Sequence, residues 1–306
     1  MNFEKMYNTI DTHVGGEAFR IVTQSPIVFQ GDDIHANHDK LQHSFINEKN
    51  LLLNEPRGHR GMHGCVVVPS SNADLQLLFF NHEAVTNFKY EGLLATITAL
   101  IETGNLKRTA DDCYQVETVN GIHTVKANVE QQEVVAVSIE SAACSVVNDN
   151  PEYVMVQVDN ARNYLLYTLP DAIPGIELEH LAALNKWGIA KTAELKEENV
   201  AYEGVVLVES GVSAGSKVRS VTFEKDGYIL RSPGVDSTFA ILTSMLNMQA
   251  SPSEIENESI FGSSLTAKVL VEGGCRFSLE TEAFVTGSHE FIFDQDDPLK
   301  DGFLLV

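Results

Sequence analysis

The chain has 306 residues, more than one hydrophobic core usually supports, so we expect two domains. Its net charge of −22, from 21 basic and 43 acidic side chains, repels phosphate backbones and anionic lipid headgroups. The sequence contains neither a run of about 20 apolar residues nor an apolar leader segment. We therefore expect an acidic, cytoplasmic globular protein that binds neither nucleic acid nor membranes. Four cysteines without a Cys-x-x-Cys spacing argue against a disulfide framework and a structural zinc site.

Most of the chain has the β-branched, often alternating pattern of strands. In the first half this pattern covers 17–30, 65–69, 74–80, 115–129 and 133–140. Amphipathic patterns predict helices over 35–49 and 176–187, each with one apolar face. Two dipeptides, Asn120-Gly121 and Asp226-Gly227, predict hairpins because their residues tolerate the positive φ angles of tight turns.

Two further segments, 91–104 and 234–249, are apolar or small on nearly every side, which is typical of a helix buried all round. They predict central helices near 92–103 and 236–248. Each half of the chain thus has many short strands and one buried helix. This favours an α+β fold of two pseudo-symmetric domains, each a rolled β-sheet around a central helix.

The polar stretch at 148–151 is the expected domain boundary. It gives an N-terminal domain of residues 1–147 plus about 290–306, and a C-terminal domain of residues 148–289. If the amino termini of both central helices face a shared interdomain cleft, they form an anion site. Their N–H groups and positive dipole ends would favour a carboxylate there.

Five segments carry a resemblance to a known family. They are DTHVGGEAFRIV (11–22), EPRGHRGMHG (55–64), LRSPG (230–234), ESIFGSSLTAKV (258–269) and VTGSHEFIFDQDDPL (285–299). In this order they resemble the signature segments of the proline racemase family, which includes proline racemases, 4-hydroxyproline epimerases and trans-3-hydroxyproline dehydratases. The resemblance implies the diaminopimelate epimerase-like fold and chemistry without a cofactor.

The resemblance also implies two catalytic cysteines, one at the start of each central helix, acting on opposite faces of the substrate's α-carbon. In this sequence Glu91 and Gly234 stand in those two positions. Leu93 and Leu230 replace the His and Asp that contact the substrate's amino group in the family. The cysteines that are present are best explained as buried structural thiols: Cys65, Cys113, Cys144 and Cys275. The sequence therefore predicts that proline is not racemised by two thiols.

Two carboxylates are candidate catalytic groups at the predicted helix starts. Glu91 is either a replacement general base or only a favourable partner of the helix dipole, and its side chain could even fill the anion site. Asp236 is either a group acting from the opposite side or the N-cap of the second helix. Binding of the substrate carboxylate is assigned to residues of the same two turns: Gly92, Leu93, Leu94, Gly234, Val235, Ser237 and Thr238.

No metal site is predicted. The histidine pairs 35/38 and 59/63 have the spacing of ligands on a helix, but three glycines within 58–64 disfavour a helix there. The sequence thus predicts a divergent isomerase or lyase, epimerase- or dehydratase-like, that acts on a small carboxylate at the interdomain cleft with Glu91 as single base. Two alternatives stay open: a non-catalytic relative that binds a ligand or partner in the cleft, and a dimerisation or scaffold protein. A homodimer is one possible assembly.

Overall fold

The computed structural model describes residues 3–82, 85–86, 88–209, 217–248, 252–270 and 275–305. Within these residues the helices are α1 (Ile34–Ser44), α2 (Ile46–Leu53), α3 (Tyr90–Glu102), α4 (Leu181–Glu197) and α5 (Val235–Asn247). The strands of the first half are β1 (Phe3–Val14), β2 (Glu17–Gln24), β3 (Met62–Val68), β4 (Leu75–Phe80), β5 (Val85–Thr86), β6 (Cys113–Thr118), β7 (Gly121–Glu130) and β8 (Glu133–Glu140). Those that follow are β9 (Ser145–Asp149), β10 (Val154–Gln157), β11 (Asn163–Thr168), β12 (Gly204–Val208), β13 (Lys217–Phe223), β14 (Glu254–Glu258), β15 (Ser264–Val269), β16 (Phe277–Thr281) and β17 (Ala283–Asp294).

The chain forms two compact units. The N-terminal unit comprises Met1–Ile139 and Glu282–Val306, and the C-terminal unit comprises Glu140–Thr281. The boundaries expected from the sequence, at 147/148 and about 289/290, lie slightly C-terminal to both division points. In each unit, strands pack around one buried helix.

The two units repeat one succession of strand pairs. In the N-terminal unit, β1–β2 is antiparallel, β2–β3 parallel, β3–β4 antiparallel, β4–β6 parallel, and β6–β7 and β7–β8 are antiparallel. In the C-terminal unit, β10–β11 is antiparallel, β11–β12 parallel, β12–β13 antiparallel, β13–β14 parallel, and β14–β15 and β15–β16 are antiparallel. A further antiparallel strand lies beside the first of each series, β17 beside β1 and β9 beside β10. The predicted pseudo-symmetry is therefore confirmed.

A central helix makes the second parallel crossover in each unit. Helix α3 joins the β4/β5 hairpin to β6 and packs against β1, β2, β3, β7 and β17, which buries every residue from Tyr90 to Ile101. Helix α5 joins β13 to β14 and packs against β9, β10, β11, β14 and β15, which buries Val235 to Ser244. Each fully buried Leu or Ile in them contributes roughly 1.5–3 kcal/mol. Both predicted central helices are confirmed, and each begins slightly earlier than predicted.

The peripheral helices differ from the sequence prediction. The segment predicted as one helix over 35–49 forms α1 and α2, which are separated at Phe45. The Phe45 ring packs edge-on against Tyr7 and Phe80 at centroid distances of 6.5 and 5.1 Å, so core packing takes the backbone out of the helix there. The helix predicted over 176–187 begins later, at Leu181 after a 3₁₀ turn, and continues to Glu197. No helix of the described ranges has the length and apolar character to cross a bilayer.

Both predicted hairpins are present. Thr118 pairs with Gly121, whose φ is 110°, at the turn between β6 and β7. Gly227 has a φ of 79°, and the Glu224 N–H donates to the Tyr228 carbonyl across that turn at 2.8 Å. Glycine fits both positions because side chains with a Cβ rarely adopt positive φ.

Candidate functional site at the starts of the two central helices

The first turn of α3 begins without a capping side chain. Lys89 is the N-cap residue, with φ −145° and ψ 127°, and its side chain makes no capping hydrogen bond. The Leu93 N–H donates to the Lys89 carbonyl oxygen at 3.4 Å. From this residue onward, including Leu94, the N–H groups are used within the helix. Leu93 and Leu94 therefore do not supply the main-chain donors that the sequence interpretation assigned to them.

Glu91 and Gly92 follow in the same turn. Glu91 is the second residue of α3 and its side chain is buried, only 4% of the residue being exposed. A carboxylate in the first turn of a helix interacts favourably with the positive end of the helix dipole. A Cβ on Gly92 would lie 2.7 Å from Phe79 Cε1 and 3.2 Å from Cys65 Sγ. Glycine at this position thus allows α3 to approach β3 and β4 closely.

A polar chain of three residues, Glu17, His63 and Lys89, extends from the sheet to the start of α3. His63 Nε2 lies 2.8 Å from Glu17 Oε1 and 3.2 Å from Lys89 Nζ. Glu17 on β2 and His63 on β3 are buried, whereas Lys89 is partly exposed. The Phe19 ring stacks on the His63 imidazole at a centroid distance of 5.4 Å. A carboxylate, an imidazole and an amine in one chain are groups that exchange protons.

The first turn of α5 is built differently. Its N-cap is Gly234, with φ 82° and ψ 124°, and a Cβ there would lie 2.9 Å from Ser237 Oγ. The Thr238 N–H and hydroxyl both donate to the Gly234 carbonyl oxygen, at 2.9 and 2.7 Å. Ser237 Oγ accepts a hydrogen bond from Thr222 Oγ1 at 2.8 Å. Thr238, like Leu93, therefore uses its N–H within its own helix.

Asp236 lies in a buried ion-pair cluster. Arg162 Nη1 donates to Asp236 Oδ2 at 2.7 Å and Nη2 donates to Oδ1 at 2.9 Å, while Tyr164 Oη lies 3.2 Å from Oδ2. Arg162 Nε also donates to Asp159 Oδ2 at 2.6 Å. Burial opposes the guanidinium charge, but the neighbouring carboxylates, Asp236 above all, hold the pKa of Arg162 well above its ordinary value. Asp236 is thus held by Arg162, and it is not the N-cap, a position taken by Gly234.

The two helix starts can be compared position by position. Lys89 and Gly234 are the N-cap residues, and Glu91 and Asp236 are the second residues of their helices. The sequence analysis placed Glu91 and Gly234 at the two family cysteine positions; in the structure they are the second residue of α3 and the N-cap residue of α5. The sequence did not predict Lys89 as the N-cap of α3, because lysine is not a typical capping residue. The available signal was that the apolar, all-round buried segment extends back to Tyr90.

The proline racemase family model matches residues 9–304. The chain belongs to the proline racemase family. It is 29% identical to a trans-3-hydroxy-L-proline dehydratase of Bacillus thuringiensis subsp. konkukian and 28% identical to a 3-hydroxyproline 2-epimerase of Burkholderia multivorans, each over 100% of both chains. The crystal structure of a hydroxyproline epimerase from Agrobacterium vitis, with bound trans-4-hydroxy-L-proline, has a TM-score of 0.84 at 19% identity, covering 100% of this chain and 97% of that one. This likeness shows the fold, which is the predicted diaminopimelate epimerase-like one.

The cysteines of this family member are not activated thiols at the helix starts. Burial raises the pKa of Cys65 and that of Cys144 to about 12, although hydrogen bonds oppose the shift. Cys144 Sγ points at the Val158 carbonyl oxygen, 3.5 Å away. Cys113 and Cys275 are partly exposed rather than buried as expected. The two buried thiols have the environment of inert, structural cysteines.

One surface group of this family member has the spacing of metal ligands. Within the described ranges, ligand atoms of Glu177, Glu179 and His180 lie within 4.8 Å of one another. The group lies at the 3₁₀ turn before α4, and Glu177 already accepts a hydrogen bond from Arg219 at 3.1 Å. Its two carboxylates are exposed, and exposed acidic groups commonly occur without a metal. Of the histidine pair 59/63, His63 contacts Glu17, with Nε2 lying 2.8 Å from Oε1.

Proposed function

We propose that this protein is an isomerase or lyase, epimerase- or dehydratase-like, that acts on a small carboxylate through acid–base groups of the N-terminal unit. The observation that carries the proposal is the fixed position of Asp236. In the first turn of α5 it is the one titratable side chain, and both of its carboxylate oxygens accept from Arg162. The first turn of α3, by contrast, contains Glu91 and is preceded by Lys89.

This difference favours some reactions over others. Inversion by two bases needs a proton-exchanging group on each face of the α-carbon, and Gly234 supplies none. With Glu91 as the base, the α-proton is removed, and then either a β-leaving group departs or the proton returns to the same face. The activities for which the relatives are named, a dehydratase and an epimerase, support a reaction that begins at the α-proton.

Binding of the substrate carboxylate is assigned to the helix starts, where main-chain N–H groups and the dipole favour an anion. Leu93, Leu94 and Thr238 are removed from the proposed donor set, because their N–H groups bond within the helices. Gly234 is removed as well, because its N–H donates to Ser232 Oγ at 3.1 Å. Gly92, Val235 and Ser237 stay in the proposed set. Leu93 and Leu230 are both buried, and they favour a substrate whose neighbouring group is less polar than an ammonium, such as a hydroxy acid or an unsaturated acid.

A thermal-shift screen tests binding, because a ligand that prefers the native state raises the melting temperature. The panel contains proline, the hydroxyprolines and small hydroxy and keto acids. Each ligand found is then incubated with the protein in deuterium oxide, and exchange of the α-proton and formation of product are followed by NMR. We expect exchange or elimination with a hydroxy acid and no racemisation of proline.

The Glu91→Gln variant tests the assigned base. We expect kcat to fall by roughly 10²–10⁴-fold while the ligand-induced melting shift persists, because glutamine keeps the shape but cannot accept the proton. Unchanged turnover would show that Glu91 is only a helix-end carboxylate. A ligand that binds without exchange or product would instead support the alternative of a non-catalytic relative.

A further inference from the structure

The reaction proposed above, with Glu91 as the base, assigns no role to the polar chain of Glu17, His63 and Lys89. This chain ends at Lys89, the N-cap residue of α3, which is two residues before Glu91. Glu17 and His63 are buried, 1% and 4% exposed, on the paired strands β2 and β3, where His63 lies opposite Phe19, two residues after Glu17. Burying a carboxylate and an imidazole costs free energy unless the two groups hydrogen-bond to each other. The Glu17–His63 pair therefore has a fixed geometry, and it positions the partly exposed amine of Lys89.

His63 lies between the other two members of this chain. His63 Nε2 is within hydrogen-bonding distance of both Glu17 Oε1 and Lys89 Nζ, at 2.8 and 3.2 Å. A ring nitrogen either carries one proton or offers one lone pair. A protonated Nε2 donates to Glu17 Oε1, and an unprotonated Nε2 accepts from Lys89 Nζ. His63 thus lies between the Glu17 carboxylate and the Lys89 side chain at the start of α3.

We propose that Lys89 is the general acid that protonates the departing β-hydroxyl of a 3-hydroxy carboxylate, with His63 and Glu17 as positioning residues. This rests on the proposed function and narrows it to elimination of water. A carboxylate base alone leaves hydroxide as the leaving group, which departs poorly. An amine carried by the N-cap residue of α3, two residues before the base in sequence, would remove that obstacle without any group from α5.

The step balances as follows. The α C–H bond breaks and its proton passes to the Glu91 carboxylate. The electron pair forms the double bond between the α- and β-carbons while the β C–O bond breaks. The leaving oxygen takes a proton from the Lys89 ammonium and departs as water. Glu91 then returns its proton and Lys89 regains one through solvent, so the net change is an unsaturated acid plus water.

The test compares two leaving groups in wild type, Lys89→Met and Glu91→Gln. One substrate is the 3-hydroxy acid found in the screen, and the other is its 3-chloro analogue, whose chloride leaves without a proton. We expect Lys89→Met to lower kcat on the hydroxy acid by roughly 10²–10⁴-fold but to keep kcat on the chloro acid within about threefold. Glu91→Gln is expected to lower both. His63→Gln should give a smaller loss with the same leaving-group dependence.

Lys126→Met is the matched control, because Lys126 is an exposed lysine on β7 and its loss should change neither rate. Melting temperatures establish that each variant is folded. Equal losses on both substrates, or no loss on the hydroxy acid, would overturn the assignment of Lys89 while leaving the proposed function intact. If wild type eliminates from neither substrate, the lyase reaction itself fails and the role of Lys89 fails with it.

Discussion

Replacing Gly234 with cysteine, which places a thiol at the N-cap of α5, is expected to destabilise the protein. The backbone there has φ 82° and ψ 124°, a conformation that costs a residue with a Cβ about 1–3 kcal/mol. The new Cβ would also lie 2.9 Å from Ser237 Oγ, and moving that hydroxyl breaks its buried bond with Thr222 at about 1–3 kcal/mol more. The expected total is about 2–6 kcal/mol, a large part of a typical stability of about 5–15 kcal/mol.

Urea unfolding followed by circular dichroism measures this loss. Gly104→Ala is the matched control, because Gly104 also has a positive φ, 71°, but its Cβ would meet nothing within 4 Å. The control should lose only the conformational part, about 1–2 kcal/mol. Adding Ser237→Ala to Gly234→Cys should cost less than the sum of the two single changes, since both remove the same contact. A Gly234→Cys protein as stable as wild type would refute the reasoning.

Three other predictions concern buried groups. Arg162→Met leaves the carboxylates of Asp159 and Asp236 buried without their cation, so it should lower the free energy of unfolding in urea by about 3–5 kcal/mol. Asp236→Asn keeps the Arg162–Asp159 pair and should lower it by less. A larger loss for Asp236→Asn than for Arg162→Met would contradict the described cluster. Burial opposes ionisation of Asp159, but the charge and N–H groups of Arg162 hold the pKa of that carboxyl below its ordinary value of 3.8. The ionised Asp159 therefore stabilises the folded protein above pH 3.8, and this stabilisation is lost as the pH falls below 3.8. Arg162→Met should therefore show weaker dependence of unfolding free energy on pH below about 4. Iodoacetamide at pH 8 should leave Cys65 and Cys144 unmodified in the native protein and modify them in urea, as read by mass spectrometry; rapid native labelling of either would contradict its burial.

The central features of the fold could be predicted from the sequence because they depend on local composition. A helix that must be buried on every side needs apolar or small residues all round, and α3 and α5 have them. The hairpins at Gly121 and Gly227 were likewise marked by residues suited to positive φ. The break at Phe45 could not be predicted, because it depends on packing against Tyr7 and Phe80, which are distant in sequence.

The candidate site was less predictable for two physical reasons. Lys89 makes no capping hydrogen bond, so no residue type marks the first turn of α3. The role of Asp236 depends on Arg162, which is 74 residues away and comes near only through the sheet. Local patterns record propensity and periodicity, whereas both features depend on tertiary pairing.

The discontinuity of the N-terminal unit has a consequence for how the chain is made. Strand β1 pairs along nearly its whole length with β17, yet the entire C-terminal unit separates them in sequence. On the ribosome, β1 is synthesised long before β17, so the edge of β1 that pairs with β17 stays unpaired during this time. The C-terminal unit, which is continuous in sequence, can fold in the meantime. Open strand edges recruit other chains. The nascent protein is therefore most exposed to aggregation during the interval between those two strands, and protection by chaperones matters most in that interval.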